Sequence, residues 1–288
     1  MSVVNIFVLV IYIILIFYLD EIFALKSRYY IFKYIYIKKY NNKMILDNFP
    51  KVLWINLQRS SKRKEYMESL LNKYEIDNLR IQAIDGLVAE ELDSVCFKNI
   101  SISNQENACS CSHLLAIKYF LEKMEDERII IFEDDVSFEF LRLIPFNWSE
   151  FESNLPSDYY VVQLAITKDF GSVNNILVST DTKSKYYCST AYIITRLGAQ
   201  NIINKYFCPE TDKINLRDQK NCTADAIISD SGKTFSIPIF TYLTTDSTIH
   251  PNHLPIHTKS KIQQQKLWIM TSRQKQFDKN KYFHQFAK

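Results

Sequence analysis

Glu133, Asp134 and Asp135 stand side by side at the end of the run Arg128-Ile-Ile-Ile-Phe-Glu-Asp-Asp-Val136. Three adjacent carboxylates directly after an apolar run are not packing residues. They are groups that hold a hard divalent cation, and an ion held by one or two carboxylates keeps positions open for phosphate oxygens. Along an extended chain residues i and i+2 share a face, so Glu133 and Asp135 can converge on one ion while Asp134 points elsewhere. An acidic surface turn is the plain alternative for the same residues.

Such a cluster has to be carried by a strand. The β-branched run before it reads as a strand buried on both faces, as in the middle of a parallel sheet. In open α/β sheets, ligands sit beyond the carboxyl ends of the strands, which is where these acids fall. Residues 51–57 (KVLWINL) read as a first strand. Tyr66, Met67, Leu70, Leu71 and Tyr74 recur at helical spacing after Ser60 or Ser61 as N-cap. Residues 79–86 (LRIQAIDG) read as a second strand ending in a turn, with Asp85 as a turn former that bonds its own backbone. Strand, helix, strand in that order makes a right-handed βαβ unit and a parallel sheet. Tyr192 reads as strand core.

Composition narrows the chemistry. The 288 residues are 47% hydrophobic and 14% aromatic, enough for a sizeable core. Four glycines leave no G-x-G-x-x-G and no Walker A loop, so a nucleotide would have to be held by a metal and side chains. A net charge of +3, with the basic residues concentrated after the N-terminal apolar run and in the last thirty residues, is mild evidence for an anionic neighbour such as a membrane surface and only weak evidence for nucleic acid, which is not expected as a partner. The six cysteines form no C-x-x-C and are too sparse for a disulfide scaffold. Cys109, Cys111 and His113 alternate in the manner of metal ligands but lack a second ligand pair at zinc spacing. They read as the start of a helix with His113 on its inner face.

Residues 3–19 are uncharged and almost wholly apolar. About 17 residues at ~1.5 Å rise span roughly 26 Å, and Ile22, Phe23 and Leu25 extend the stretch toward a bilayer core. With no basic n-region and no clear cleavage site, an uncleaved single-pass anchor is favoured over a signal peptide. Lys26, Arg28, Lys33, Lys38, Lys39 and Lys43 follow it, which argues for a cytoplasmic body. Sequons at Asn99, Asn147 and Asn221 would suit the lumen, so the side of the membrane stays open. The expected organisation is an anchor at 1–25, a juxtamembrane linker at 26–49, a folded domain at 50–257 and a basic tail at 258–288.

Five blocks in order make the domain resemble a known family: INLQRSSKRKEYM, AIDG, NACSCSHLLAIKYFLEK, IIIFEDDVSF and AYIITRLGAQNII. Together, over about residues 50–245, they are similar to glycosyltransferase family 25, which includes bacterial lipooligosaccharide and procollagen galactosyltransferases. The resemblance implies an α/β, GT-A type Rossmann-like domain with a mostly parallel central sheet, here preceded by an N-terminal hydrophobic helix. It implies a UDP-sugar donor, Mn²⁺ or Mg²⁺, and inversion at the sugar carbon. By position, Glu133 and Asp135 would hold the metal, with Asp134 in the same acidic motif and counted with the catalytic residues. Asn56 and Arg59 would lie near the nucleotide, Asp85 near the sugar nucleotide, and His113 falls on the family's histidine. Asp225 falls roughly on a P-V-D segment and becomes the candidate base. It could equally serve the dipole of a helix beginning there.

Departures are visible as well. Ser60 and Lys62 replace an arginine and an acid, Asn107 stands where glycine is common, and Ser189 takes a glycine-like place. They put donor and acceptor choice in doubt. Independently of family, sugar transfer from a diphosphate donor calls for a cation to neutralise the leaving group and a base for the attacking hydroxyl. The expectation is therefore a membrane-anchored hexosyltransferase moving galactose or glucose onto a glycan, glycolipid or hydroxylated protein. The alternatives are an inactive binding or adhesion protein on the same fold and a metal-dependent nucleotidyl- or phosphotransferase.

Overall fold

A computed structural model describes residues 45–167, 178–180, 188–244 and 251–273, with backbone alone at 178–180. The expected anchor and most of the expected linker lie outside the described residues. No helix among the described residues is long and apolar enough to cross a membrane.

Seven strands form the central sheet: Val52–Asn56 (β1), Asn78–Gln82 (β2), Arg128–Glu133 (β3), Val161–Gln163 (β4), Val178–Thr180 (β5), Ala191–Thr195 (β6) and Thr234–Ser236 (β7). Their spatial order is β2-β1-β3-β6-β4-β7-β5. β1 pairs in parallel with both β2 and β3, and β4 pairs in parallel with β7. β6 is antiparallel to both β3 and β4, and β5 is antiparallel to β7. Five strands thus share one direction, as expected, and two oppose it. The opposed strand β6 lies beside β3, so its amino-terminal start sits next to the carboxyl end of β3. Phe132 pairs with Ala191 there, and Glu133 N–H donates to the Thr190 carbonyl at 2.8 Å.

Helices Ser61–Lys73 (α1), Ala89–Val95 (α2), Asn104–Lys123 (α3), Trp148–Ser153 (α4), Arg196–Tyr206 (α5), Ala224–Ser229 (α6) and Leu254–Ser272 (α7) complete the domain. α1 joins β1 to β2, as its apolar spacing predicts. Ser60 takes the N-cap position, but its side chain caps nothing. Its carbonyl instead accepts from Lys64 N–H at 3.0 Å and from Asn56 Nδ2 at 3.3 Å. α3 opens on a capping box between Ser103 and Glu106, which contributes about 1 kcal/mol. Its Leu114, Ile117 and Phe120 pack with Leu53, Ile129 and Ile131 of the sheet in one core, each such side chain contributing about 1.5–3 kcal/mol by burial. α5 and α6 pack against α3. Opposite, Phe132 meets Phe49, Phe138 and Phe240 in an aromatic cluster.

Two expected boundaries move. Leu46 is buried and Phe49 packs edge-on against Trp148, so the folded unit begins before residue 50. The expected start of a basic tail at 258 falls inside α7. That helix is anchored by Trp268, fully buried with Nε1 donating to the Pro238 carbonyl at 2.7 Å, and by Gln264, which donates to the Ile166 carbonyl at 2.7 Å. The lysine pattern of this segment concealed the polar and aromatic residues facing the domain.

Candidate active site

β3 ends at Glu133, and the two following acids turn in different directions. Glu133 Oε1 accepts from Ser189 Oγ at 2.5 Å and lies 3.2 Å from His113 Nε2. His113 comes from the middle of α3, is 1% exposed, and has its Nδ1 3.0 Å from the Tyr192 hydroxyl. With Glu133 ionised, Nε2 carries the hydrogen and Nδ1 accepts from Tyr192. Burial works to raise the pKa of Glu133. The hydrogen bonds from His113 and from Ser189 outweigh it and hold the carboxyl below its ordinary range.

Asp134 points toward β1 and α1. Its Oδ2 accepts from Asn56 Nδ2 and its Oδ1 from Arg63 Nη1, both at 2.7 Å. Arg80 Nε donates to Asn56 Oδ1 at 2.9 Å, which fixes the orientation of the amide. Burial still keeps the Asp134 pKa above the usual carboxylate value, against the pull of Arg63. Asp135 is the least satisfied of the three. Its Oδ2 is 3.9 Å from Arg63, while its Oδ1 is shut off from solvent with no hydrogen-bond partner among the described residues. Burial first, and the charge of Glu133 second, push it up to about 8. Glu133 and Asp135 therefore feel each other strongly while Asp134 is tied elsewhere, in line with the alternation expected of an extended chain.

An open cleft lies in front of Glu133 and Asp134. Asn56, Arg59, Asp85, His113, Glu133 and Asp134 all line it, so six of the eight sequence candidates meet on one surface. Arg59 Nε donates to Asp85 Oδ2 at 2.6 Å, and Asp85 Oδ1 accepts from Leu87 N–H at 3.0 Å, the turn contact expected of it. Gly86 packs against the start of α3: a Cβ there would come within 2.6 Å of the Gln105 Cα. The AIDG block thus lets the β2 turn touch the helix that carries His113, and Ile84 N–H to Ser112 Oγ at 2.9 Å ties the same two elements.

Asp135 does not line the cleft, and neither does Asp225. Asp225 sits in the first turn of α6, near enough for its charge to act on the Cys109 thiol. Burial, then Glu133, Asp225, Asp135 and Asp134 in that order, push that thiol well above its ordinary value. Cys109 and His113 lie in the middle of α3, one turn apart, not at its start as the alternating pattern suggested. Cys109, His113 and Glu133 each offer a donor atom within 4.8 Å of the other two. The third donor comes from β3, which a search for a second cysteine pair could not find. Cys111 points away, toward Cys96.

Sequence reasoning passed over Arg63, Arg80 and the Tyr192 hydroxyl. Arg63 lies in the first turn of α1, four residues after Arg59, and nothing in its spacing signals the buried acid opposite it. Two departures from the family pattern acquire structural work. Asn107 donates to the Asn99 carbonyl at 2.9 Å and accepts from Asn99 N–H at 2.9 Å, stitching the loop before α3. Ser189 supplies the hydroxyl on Glu133. Of the sequons, Asn99 is buried and spends its Nδ2 on the Leu216 and Gln219 carbonyls, so the folded chain offers no amide there for a glycan.

An unpartnered, buried carboxylate oxygen next to a second carboxylate is an environment that a divalent cation neutralises, so Glu133 and Asp135 fit such an ion. The model of the family described as glycosyltransferase family 25 (LPS biosynthesis protein) matches residues 49–213. No curated protein matches the chain. Among solved structures, the crystal structure of A197 from STIV is similar at 12% identity and a TM-score of 0.38, over 67% of this chain and 84% of that one.

Proposed function

Because the chain belongs to glycosyltransferase family 25, we propose that it transfers a hexose, galactose or glucose, from a UDP-sugar to a hydroxyl of a glycan, glycolipid or hydroxylated protein, with inversion at the sugar carbon. The observation that carries this reading is the Asp135 Oδ1, buried and unpartnered among the described residues, beside Glu133 at the end of β3. Glu133 and Asp135 would hold Mn²⁺ or Mg²⁺. When bound, that ion supplies Lewis-acid neutralisation of the charge growing on the departing diphosphate.

The residues of the chain divide the remaining work. Asn56, Arg59 and Asp85 line the part of the cleft nearest β1 and β2 and would receive the nucleotide. Asp134 has both oxygens engaged by Asn56 and Arg63, so it acts as a positioning residue and leaves proton removal to Asp225. Asp225 stands outside the cleft lining, in the first turn of α6 and close enough to Cys109 for its charge to be felt there, and would take the proton of the acceptor hydroxyl. Inverting displacement needs one such base, and the transition state carries oxocarbenium character. The apolar run at 3–19 would anchor the chain in a membrane as a single pass; extraction of the full chain from membranes by detergent but not by alkaline carbonate tests that placement.

The test is UDP release by the full chain in detergent, across a panel of UDP-sugars, with Mn²⁺ present or chelated. The expected result is hydrolysis of one donor that stops on chelation and in Asp135→Asn. Metal-dependent UDP binding without release from any donor would replace the transferase by a binding protein. Release from nucleoside triphosphates instead would make it a nucleotidyl- or phosphotransferase.

A further inference from the structure

We propose that Cys109 Sγ, His113 Nε2 and Glu133 Oε1 form a site for a thiophilic divalent ion of the zinc class, which shares Glu133 with the hard-cation pair Glu133 and Asp135 but draws its other two ligands from α3. The three donor atoms lie within 4.8 Å of one another, and His113 Nε2 is already 3.2 Å from Glu133 Oε1. In a tetrahedral site with arms of about 2.0–2.1 Å, nitrogen and oxygen ligands stand about 3.3 Å apart, while a thiolate arm is longer, about 2.3 Å. Two of the three donors are therefore at ligand spacing in the structure as it stands. Cys109 and His113 come from positions i and i+4 of one rigid helix, which holds both on one face.

The surroundings of the trio are those of a metal site. His113 Nδ1 is 3.0 Å from the Tyr192 hydroxyl, and ligation through Nε2 would put the hydrogen on Nδ1 for that oxygen to accept. Ser189 Oγ holds the same Glu133 oxygen at 2.5 Å, orienting the carboxylate. Charges on Glu133, Asp225, Asp135 and Asp134 all reach Cys109, so a cation there would sit in a negative field. All three donors line the cleft. Three protein ligands with a side open to a cleft is the pattern of zinc sites that keep a position for water or substrate. A thiol with an imidazole selects zinc or cobalt over manganese and magnesium, which prefer oxygen. The assignment stands without the transferase reading, and the second Glu133 oxygen remains for a hard cation shared with Asp135.

The experiment is titration of the chelator-stripped full chain with Co²⁺, followed by near-ultraviolet absorption and competition with Zn²⁺. The expected result is a sulfur-to-cobalt charge-transfer band that saturates at one ion per chain and is displaced by Zn²⁺. The band is lost in Cys109→Ala and kept in Cys208→Ala. Tyr192→Phe is expected to weaken Co²⁺ binding by about 10-fold, the usual effect of removing a group behind a histidine ligand. No band in the wild-type chain overturns the proposal, whatever the variants do. A band that survives Cys109→Ala overturns it as well. Because the readout is spectroscopic, a chain that shows the band but hydrolyses no UDP-sugar loses only the transferase reading, and the converse result loses only this one.

Discussion

Asn56 at the end of β1 and Asp134 just beyond the end of β3 are joined by a 2.7 Å hydrogen bond, with the Asn56 amide itself oriented by Arg80. Both residues line the cleft, so the bond fixes part of its wall. It ties Asp134 to β1, while Glu133 is held by His113 and Ser189 and Asp135 alone keeps an oxygen without a partner among the described residues.

Replacing Asn56 with Ala leaves a buried carboxylate oxygen of Asp134 without its donor. The expected cost is about 1–3 kcal/mol of stability, read as a lower denaturation midpoint at unchanged slope. Removing Arg63 breaks an ion pair whose side chains are only 15% and 10% exposed, and Arg63→Gln should cost about 3 kcal/mol on the same measurement.

Asp135→Asn should move stability and activity in opposite directions. Without metal it replaces a desolvated, unpartnered carboxylate next to Glu133 by a neutral amide, for a gain of about 1 kcal/mol or about 2–4 °C in Tm. UDP release should fall to background. Adding Mn²⁺ should raise the Tm of the wild-type chain but not of the variant, because only the wild type gains binding free energy in the folded state. A variant that is no more stable without metal and still responds to Mn²⁺ would remove Asp135 from the metal site.

The pair Arg59 and Asp85 predicts a pH dependence. The hydrogen bond from Arg59 holds the Asp85 carboxyl below its ordinary value. A depressed carboxylate stabilises the fold at pH above its unfolded pKa of about 3.9, and this stabilisation disappears as pH falls through the lower folded value. The stability gap between the wild type and Asp85→Asn should be constant from pH 7 to 5 and close below about pH 4. Arg59 is 45% exposed, so solvent screening keeps the gap under about 1 kcal/mol.

α7 should behave as part of the domain. Trp268→Ala deletes a fully buried indole and should cost about 3–5 kcal/mol. A chain ending at residue 257 should lose cooperative thermal unfolding, where removal of a dispensable tail would leave the transition unchanged.

The strand and helix pattern around the acids was readable because it is local. Ile129, Ile130 and Ile131 announce a buried strand, and Tyr66, Met67, Leu70 and Leu71 announce α1, each by its own spacing. The placement of the carboxylates at the end of β3 followed from those elements alone. The antiparallel direction of β6 was not readable, since the pattern AYIIT is the same whichever way a buried strand runs. With that direction hidden, Ser189 and Tyr192 could not be brought to Glu133 and His113. Arg63 was missed for a related reason: an arginine in an exposed-looking basic helix start carries no sign that a buried acid lies across from it. At α7, the lysines dominated the composition while Trp268 and Gln264, the residues that dock it, are single positions without a period.

The reversed strand also sets the order in which the site can come into being. His113 and Tyr192 are 79 residues apart in the chain, and Glu133 and Ser189 are 56 apart. A nascent chain that has emerged only as far as Asp135 already carries every acid of the motif, but not the strand that covers Glu133 and steers His113. Long-range pairing of this kind is slow to form and must wait for the later segment. The carboxylates and the Cys109 thiol therefore spend the first part of synthesis open to water, and they become a site only when β6 docks alongside β3.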